Sequence, residues 1–308
     1  MRRVLIVNPR AGAGRMGRKL DALHRAIVRI AGPIELMPTQ HRKHASELAA
    51  QAVRQGATEV WSLGGDGTHS EVVAGLESVP ESSDVALGVL HGGTGGDFSR
   101  MLGRGSLEVQ VRRLLADEGV WIDLGEARWM NGGQEQRQVF LNELSMGMSA
   151  TICARVNSGS KRLGGRISFL AHTLRTLVDF QPHDLQLTVD GEVVEISGVR
   201  TTLACNGRWG GGGMLFAPEA QLDDGQLNVI VLLDSPVHRA VRQLPRLYDG
   251  SITASPDVRI FCGSALTLAS QGTQQHLEAD GEVLGKGSVS IAVIPKRLRL
   301  LGLDRKRL

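Results

Sequence analysis

Four short, mostly apolar runs, Val4–Val7, Ile34–Met37, Val60–Leu63 and Val85–Leu90, alternate with stretches spaced for a helix after each of the first three, and this rhythm stops near residue 120. Runs that are apolar at every position suit strands covered on both faces, and helices between them supply the cover. The first part of the chain is therefore predicted to be an α/β domain with a parallel sheet. Beyond Trp121 the texture changes to short apolar runs separated by turn signals: Asn131-Gly132-Gly133, Asp190-Gly191, Asp224-Gly225 and Asp280-Gly281. Leu185–Val189 and Val193–Ile196 flank one such turn as a hairpin would. This second part is predicted to be β-rich and antiparallel, interrupted by a helix over about Leu163–Phe180 and another after Pro236. The expected division is residues 1–125, 126–295, and a tail over 296–308 that could return to the first domain.

Composition narrows the function. Aromatics are 4% of the 308 residues, too few to stack on nucleic-acid bases, so no nucleic-acid partner is expected. A net charge of +3 suits anionic ligands or an anionic surface. Cys153, Cys205 and Cys262 are odd in number and far apart, as in a reduced cytoplasmic protein. No apolar run reaches the ~20 residues of a membrane span. A lipid ligand would have to be met from the water side.

The glycines gather in loops. Gly64-Gly65-Asp66-Gly67-Thr68 follows the third strand and opens a helix, and Gly92-Gly93-Thr94-Gly95-Gly96-Asp97-Phe98 follows the fourth. Asn8-Pro9-Arg10-Ala11-Gly12 follows the first. Loops after parallel strands share one sheet edge, and glycine there lets backbone N–H groups approach a phosphate. The first loop lacks the Gly-Lys-Ser/Thr ending of a Walker A loop. An aspartate in a phosphate cradle calls for a cation, so Asp66 points to Mg²⁺ arriving with a nucleotide. A glycine turn with aspartate as helix cap accounts for the same residues without any ligand. Arg15, Arg18 and Lys161 could neutralise phosphate, or be solvated charges.

Taken in order, these motifs resemble the diacylglycerol kinase catalytic-domain family, which includes bacterial lipid kinases, sphingosine kinases and ceramide kinases. The resemblance runs through Asn8-Pro9, Thr39, Gly64–Thr68 with Glu71, Gly93-Thr94-Gly95 with Asp97-Phe98, Ile122-Asp123, Asn142, Asn206-Gly207, Ala217-Pro218, Asp224-Gly225 and Asp280-Gly281-Glu282. It implies an ATP-dependent lipid kinase that phosphorylates a hydroxyl of diacylglycerol or a similar lipid. ATP would lie across Asn8, Pro9, Arg10, Ala11, Gly12, Thr39, Gly64, Gly65, Asp66, Gly67, Thr68, Glu71 and Thr94. Asp66 and Asp97 would organise metal and water, and Glu282 would be the general base. A second Mg²⁺ would fall on Asp224 with the carbonyls of Gln221 and Gln226. Asp190-Gly191-Glu192 repeats the tripeptide of the proposed base, and spacing does not rank the two.

The chain departs from the family at three positions. His91 stands for the usual proline, Gly96 for asparagine, and Ser70 for asparagine. Two rival readings follow: a NAD kinase-like enzyme sharing the Gly-Gly-Asp-Gly core, and a non-catalytic nucleotide-binding protein of the same fold. The expected location is cytoplasmic and peripheral to the membrane, and a homodimer stays open. The apolar and basic stretch Arg162–Phe180 and the basic residues Lys296, Arg297, Arg299, Arg305, Lys306 and Arg307 are the candidate membrane contacts.

Overall fold

The computed structural model describes residues 1–92, 96–103, 105–116, 118–158 and 165–303. The N-terminal lobe is built on four parallel strands, β1 (Arg3–Val7), β2 (Glu35–Pro38), β3 (Glu59–Gly64) and β4 (Ala86–His91), in the order β4-β3-β1-β2. Val4, Leu5, Ile6 and Val7 are all fully buried, because both faces of the sheet are covered. One face packs on α3 (His44–Arg54) and α4 (Asp66–Glu77), through Leu48, Val53, Val72 and Leu76. The other packs on α2 (Leu20–Ala31) and α6 (Leu107–Leu115), through Ile27, Val111 and Leu114. Two short helices, α1 (Arg15–Arg18) and α5 (Asp97–Met101), follow the loops after β1 and β4.

The C-terminal lobe is antiparallel. Its strands are β5 (Val120–Asn131), β6 (Gln134–Phe140), β7 (Glu143–Gly147), β8 (His183–Val189), β9 (Glu192–Cys205), β12 (Leu227–Leu233), β13 (Val258–Gly263), β14 (Ala265–Gln271), β15 (His276–Ala279), β16 (Glu282–Lys286) and β17 (Val289–Leu301). A separate small hairpin joins β10 (Trp209–Gly210) to β11 (Met214–Leu215). Along β8, His183, Leu185 and Leu187 are buried while Asp184 and Gln186 are exposed, the alternation of a half-covered strand. The core of this lobe includes Phe140, Leu144, Leu185, Val229, Leu268 and Ile291. Three helices decorate it: α7 (Met148–Ser158), α8 (Gly165–Asp179) and α9 (Val237–Asp249).

The sequence pattern ends the last strand near Ile294, but β17 runs on to Leu301. Its first part pairs antiparallel with β14 and β5, and then Arg299–Leu301 pair in parallel with Ala86–Gly88 of β4. The strand passes from one lobe to the other across an irregularity between Ile294 and Leu298, where Lys296 has φ +47°. Asp123 of β5 holds that kink. Its carboxylate accepts from the N–H of Lys296 and of Gly225, both at 2.7 Å, and its own N–H donates to the Leu222 carbonyl.

The start of the predicted tail thus returns to the first domain as β17. Arg297 pairs with Glu77 at 2.9 Å and Arg299 donates to the Asp84 carbonyl at 3.1 Å. Both are committed to the N-terminal lobe as strand residues, because the sheet needs a fifth partner beside β4. Arg305, Lys306 and Arg307 lie outside the described residues.

Candidate active site

The three glycine-bearing loops meet at the carboxyl edge of the parallel sheet. Asn8 Nδ2 donates to Thr68 Oγ1 at 3.1 Å, and the Gly92 N–H donates to the Gly64 carbonyl at 2.9 Å. Asn8 Oδ1 accepts from the Arg10 N–H, which shapes the 8–12 turn, and Arg15 Nε donates to the Gly12 carbonyl. Thr39 joins the same edge, its N–H bonded to the Val7 carbonyl at 2.8 Å. Gly64 needs its missing side chain, since a Cβ there would overlap Thr68. Thr94, with Gly93 and Gly95, lies outside the described residues, as do Lys161 and the side chains of Arg166 to Leu170.

Asp66 begins α4 and reaches across to the next loop. Its Oδ2 accepts from the N–H groups of Gly96 (3.1 Å) and Asp97 (2.9 Å), and its Oδ1 accepts from Phe98 (3.2 Å). The sequence reading offsets this charge with a metal. In the folded chain the backbone N–H groups at the start of α5 already offset it, as at any capped helix end. Glu71, one turn further along α4, caps α3 in the same way through the N–H groups of Lys43 and Ala45.

Asp97 is buried and faces the other lobe. Its Oδ2 accepts from the Gly212 N–H at 2.7 Å, and Arg100 Nε lies 3.6 Å from Oδ1. Burial pushes its carboxyl up to about 6, with the Asp66 charge adding to the rise and Gly212 and Arg100 opposing it.

The opposite wall is the turn between β15 and β16. Asp280, with φ +48°, accepts from the N–H groups of Leu141, Asn142 and Glu143; its carboxyl is raised by burial, with these N–H groups and the nearby Ser70 of α4 opposing the rise. Ser70, where the resembling family has asparagine, sits buried beside this carboxylate. Glu282, two residues on, meets Arg42 of the β2–α3 loop at 3.1 Å. Cys153 and Asn157 of α7 hold the turn from behind through the Gly281 carbonyl.

The repeated tripeptide has a different setting. Asp190 also has φ +48°, but its carboxylate binds Ser264 and Ala265, so the turn is tied to the β13–β14 connection. Glu192 is exposed on that hairpin. The tertiary structure, not the spacing, separates the two glutamates.

Sequence reasoning missed the carboxyl cluster beneath the cleft. Glu278 accepts from Ser145 Oγ at 2.6 Å and from the Gly281 N–H. Burial raises its carboxyl to about 7. Burial first, and then the charges of Glu278 and Asp97, push Glu143 well above the carboxylate range. Neither residue carries a local signal, because Glu143 and Glu278 meet only when β7 and β15 pair. Arg42 was missed for the same reason.

His91 and Gly96, two of the departures, are one structural exchange. Gly96 has φ +90°, and a Cβ placed on it would collide with the His91 ring and with Ser99 Oγ. The imidazole stands where a side chain at 96 would go.

The residues suggested for a second Mg²⁺ form a tight turn. Asp224 Oδ1 accepts from the Gln226 N–H at 3.0 Å. Burial and the nearby Asp123 raise the Asp224 carboxyl, a strain that a cation would relieve. Asp224 with backbone carbonyls is an all-oxygen donor set, which fits a hard divalent ion.

A parallel-sheet lobe whose glycine loops share one edge, met by an antiparallel lobe that presents carboxylates, makes a two-lobed α/β and β fold with its site between the lobes. Residues 2–127 match the family model of the diacylglycerol kinase catalytic domain. Residues 142–302 match that of the YegS C-terminal NAD kinase beta sandwich-like domain. The chain belongs to this family. It is 27% identical over 276 residues to a Cronobacter sakazakii protein named "Probable lipid kinase YegS-like", covering 87% of this chain and 85% of that one. A diacylglycerol kinase structure from Bacillus anthracis str. Sterne superposes with a TM-score of 0.72 at 19% identity, covering 100% of this chain and 98% of that one. Yeast NADH kinase, solved with NADH, shares the fold at a TM-score of 0.52 and 9% identity, covering 98% and 82%. Among the described residues no helix is long and apolar enough to cross a membrane.

Proposed function

We propose that this protein transfers the terminal phosphate of ATP to a hydroxyl of diacylglycerol or a similar lipid, with Glu282 as the general base. The observation that carries the reading is the ion pair by which Glu282, on the turn between β15 and β16, meets Arg42 of the N-terminal lobe's β2–α3 loop. In the reaction, a lipid hydroxyl oxygen attacks the terminal phosphorus and gives its proton to Glu282. The new O–P bond forms as the bond to the bridging oxygen breaks, and ADP leaves. The N–H groups of Gly12, Gly65 and Gly67 would bind the phosphates, and Asp66 keeps the 96–98 segment in place beside them. Mg²⁺, when bound with the triphosphate, supplies charge neutralisation; Asp224 with the carbonyls of Gln221 and Gln226 would hold a second, structural ion.

The lipid side of the cleft fits α7 and α8. The first backs the Glu282 turn, and the second packs on it with Leu177 buried and Leu174 and Val178 turned outward, 43% and 64% exposed. An apolar outer stripe there gives acyl chains a path from a membrane surface to the base. The same feature supports a peripheral contact with a membrane surface.

Labelled ATP with a panel of lipids in mixed micelles tests the reading. The native chain should label a glycerolipid or sphingoid hydroxyl, and Asp66→Ala and Glu282→Gln should not. Transfer to NAD instead would favour the NAD kinase-like alternative. ATP binding without transfer to any acceptor would favour a non-catalytic protein.

A further inference from the structure

One ion pair crosses the cleft between groups that phosphotransfer needs apart. Arg42 Nη2 donates to Glu282 Oε1 at 3.1 Å, linking residues 240 positions apart in the chain. A base must offer a free lone pair to the attacking hydroxyl, and a guanidinium hydrogen-bonded to that carboxylate occupies one.

The Arg42 loop is held stiffly. Glu71 binds the N–H groups of Lys43 and Ala45, Gln40 N–H donates to His44 Nδ1, and the His41 and His44 rings stack at 4.4 Å. The Arg42 side chain itself is 66% exposed. Its guanidinium has five N–H donors in a planar fork that matches phosphate oxygens. The inner side of the cleft carries the buried carboxyls of Asp97, Glu143, Glu278 and Asp280. An entering terminal phosphate would therefore find this cation at the rim and compete with Glu282 for it.

We propose that Arg42 is the ligand of the terminal phosphate, and that its transfer from Glu282 to that phosphate frees the base. The inference rests on the kinase reading of the cleft. It makes nucleotide arrival and base activation a single event, and it leaves ADP, which lacks the terminal phosphate, unable to release Glu282.

The test is the affinity of ATP and of ADP, each with magnesium and without lipid, measured by calorimetry. Arg42→Ala should weaken ATP about tenfold or more, the loss of a charge-assisted contact, and ADP less than about twofold. Arg42→Gln, which keeps length and donors without charge, should fall between. Glu282→Gln should tighten ATP severalfold in the native background, because the competitor for Arg42 is weakened. It should do nothing in the Arg42→Ala background. Equal losses for ATP and ADP, no loss for either, or a Glu282→Gln effect independent of Arg42 would overturn the proposal. A preserved ATP-over-ADP split without phosphorylation of any lipid would remove the acceptor assignment and leave Arg42 standing. A native chain that binds neither nucleotide would remove both.

Discussion

The His91 imidazole fills the space that any side chain at Gly96 would need. The two departures are thus physically coupled, and neither is a simple loss. Gly96→Asn alone should lower stability by about 1–3 kcal/mol from overpacking. A smaller residue at 91, as in the pair His91→Ala with Gly96→Asn, should recover part of that loss. The residual cost is the φ of +90° at 96, which both variants bear. Thermal unfolding of the two singles and the double measures the coupling, and strictly additive effects would refute a shared space.

Asp123 should matter for stability well beyond its size. It is fully enclosed and holds the N–H groups of Gly225 and Lys296, where β17 crosses between lobes. Asp123→Ala leaves both donors without their acceptor, at about 1–3 kcal/mol each. Amide exchange should accelerate first along Leu298–Leu301, where β17 pairs with β4. Uniform acceleration across the whole chain would argue against a local junction.

The buried carboxyls set the direction of the pH dependence. Glu278 holds its proton up to about 7 in the folded chain, from an ordinary value of 4.5. Between those values the folded state binds more protons than the unfolded one, so this group's stabilisation is full below 4.5 and is lost as pH rises through 7. Asp97, raised to about 6, acts in the same sense over 3.8 to 6. His69 opposes them: buried and depressed from 6.5 to about 4, it removes stability as pH falls through that range. Glu278→Gln should therefore flatten the decline in unfolding temperature between pH 5 and 8. An unchanged slope would show that Glu278 ionises freely.

The two Asp-Gly-Glu turns offer an internal control for the assigned base. Glu282→Gln should cut lipid phosphorylation by roughly 10²–10⁴-fold, the usual worth of a general base. Glu192→Gln, on the exposed β8–β9 hairpin, should leave it within about twofold. The reverse pattern would move the chemistry to the other end of the lobe.

Magnesium binding at Asp224 has a readout independent of activity. Adding Mg²⁺ without nucleotide should raise the unfolding temperature of the native chain, because a ligand of the folded state stabilises it. The rise should vanish in Asp224→Ala. A rise of equal size in both proteins would place the ion elsewhere.

Much of this molecule is determined by local pattern. Val4–Val7 is apolar at every position, as suits a doubly covered strand, and its three counterparts are mostly apolar, so the glycine loops that follow them fall on one edge. Those features set the parallel lobe and gathered Asn8, Gly64 and Asp66 before any contact was known. The antiparallel character of the second lobe was legible in its turns for the same reason. Tertiary structure alone decided the rest. Residues 296–301 read as a basic tail, yet Arg297 and Arg299 belong to a strand that completes the first sheet. Glu282 and Glu192 share one local sequence and the same turn geometry, and only the pairing of β15 with β7 and the packing of β15 and β16 on α7 bring one of them to Arg42 across the cleft. Glu143, Glu278 and Arg42 carry no periodic or motif signal, since the partners that shift or engage them come from strands and loops far along the chain. Short-range sterics and hydrophobic period are written in neighbouring residues; electrostatic partnership between lobes exists only once the chain has closed.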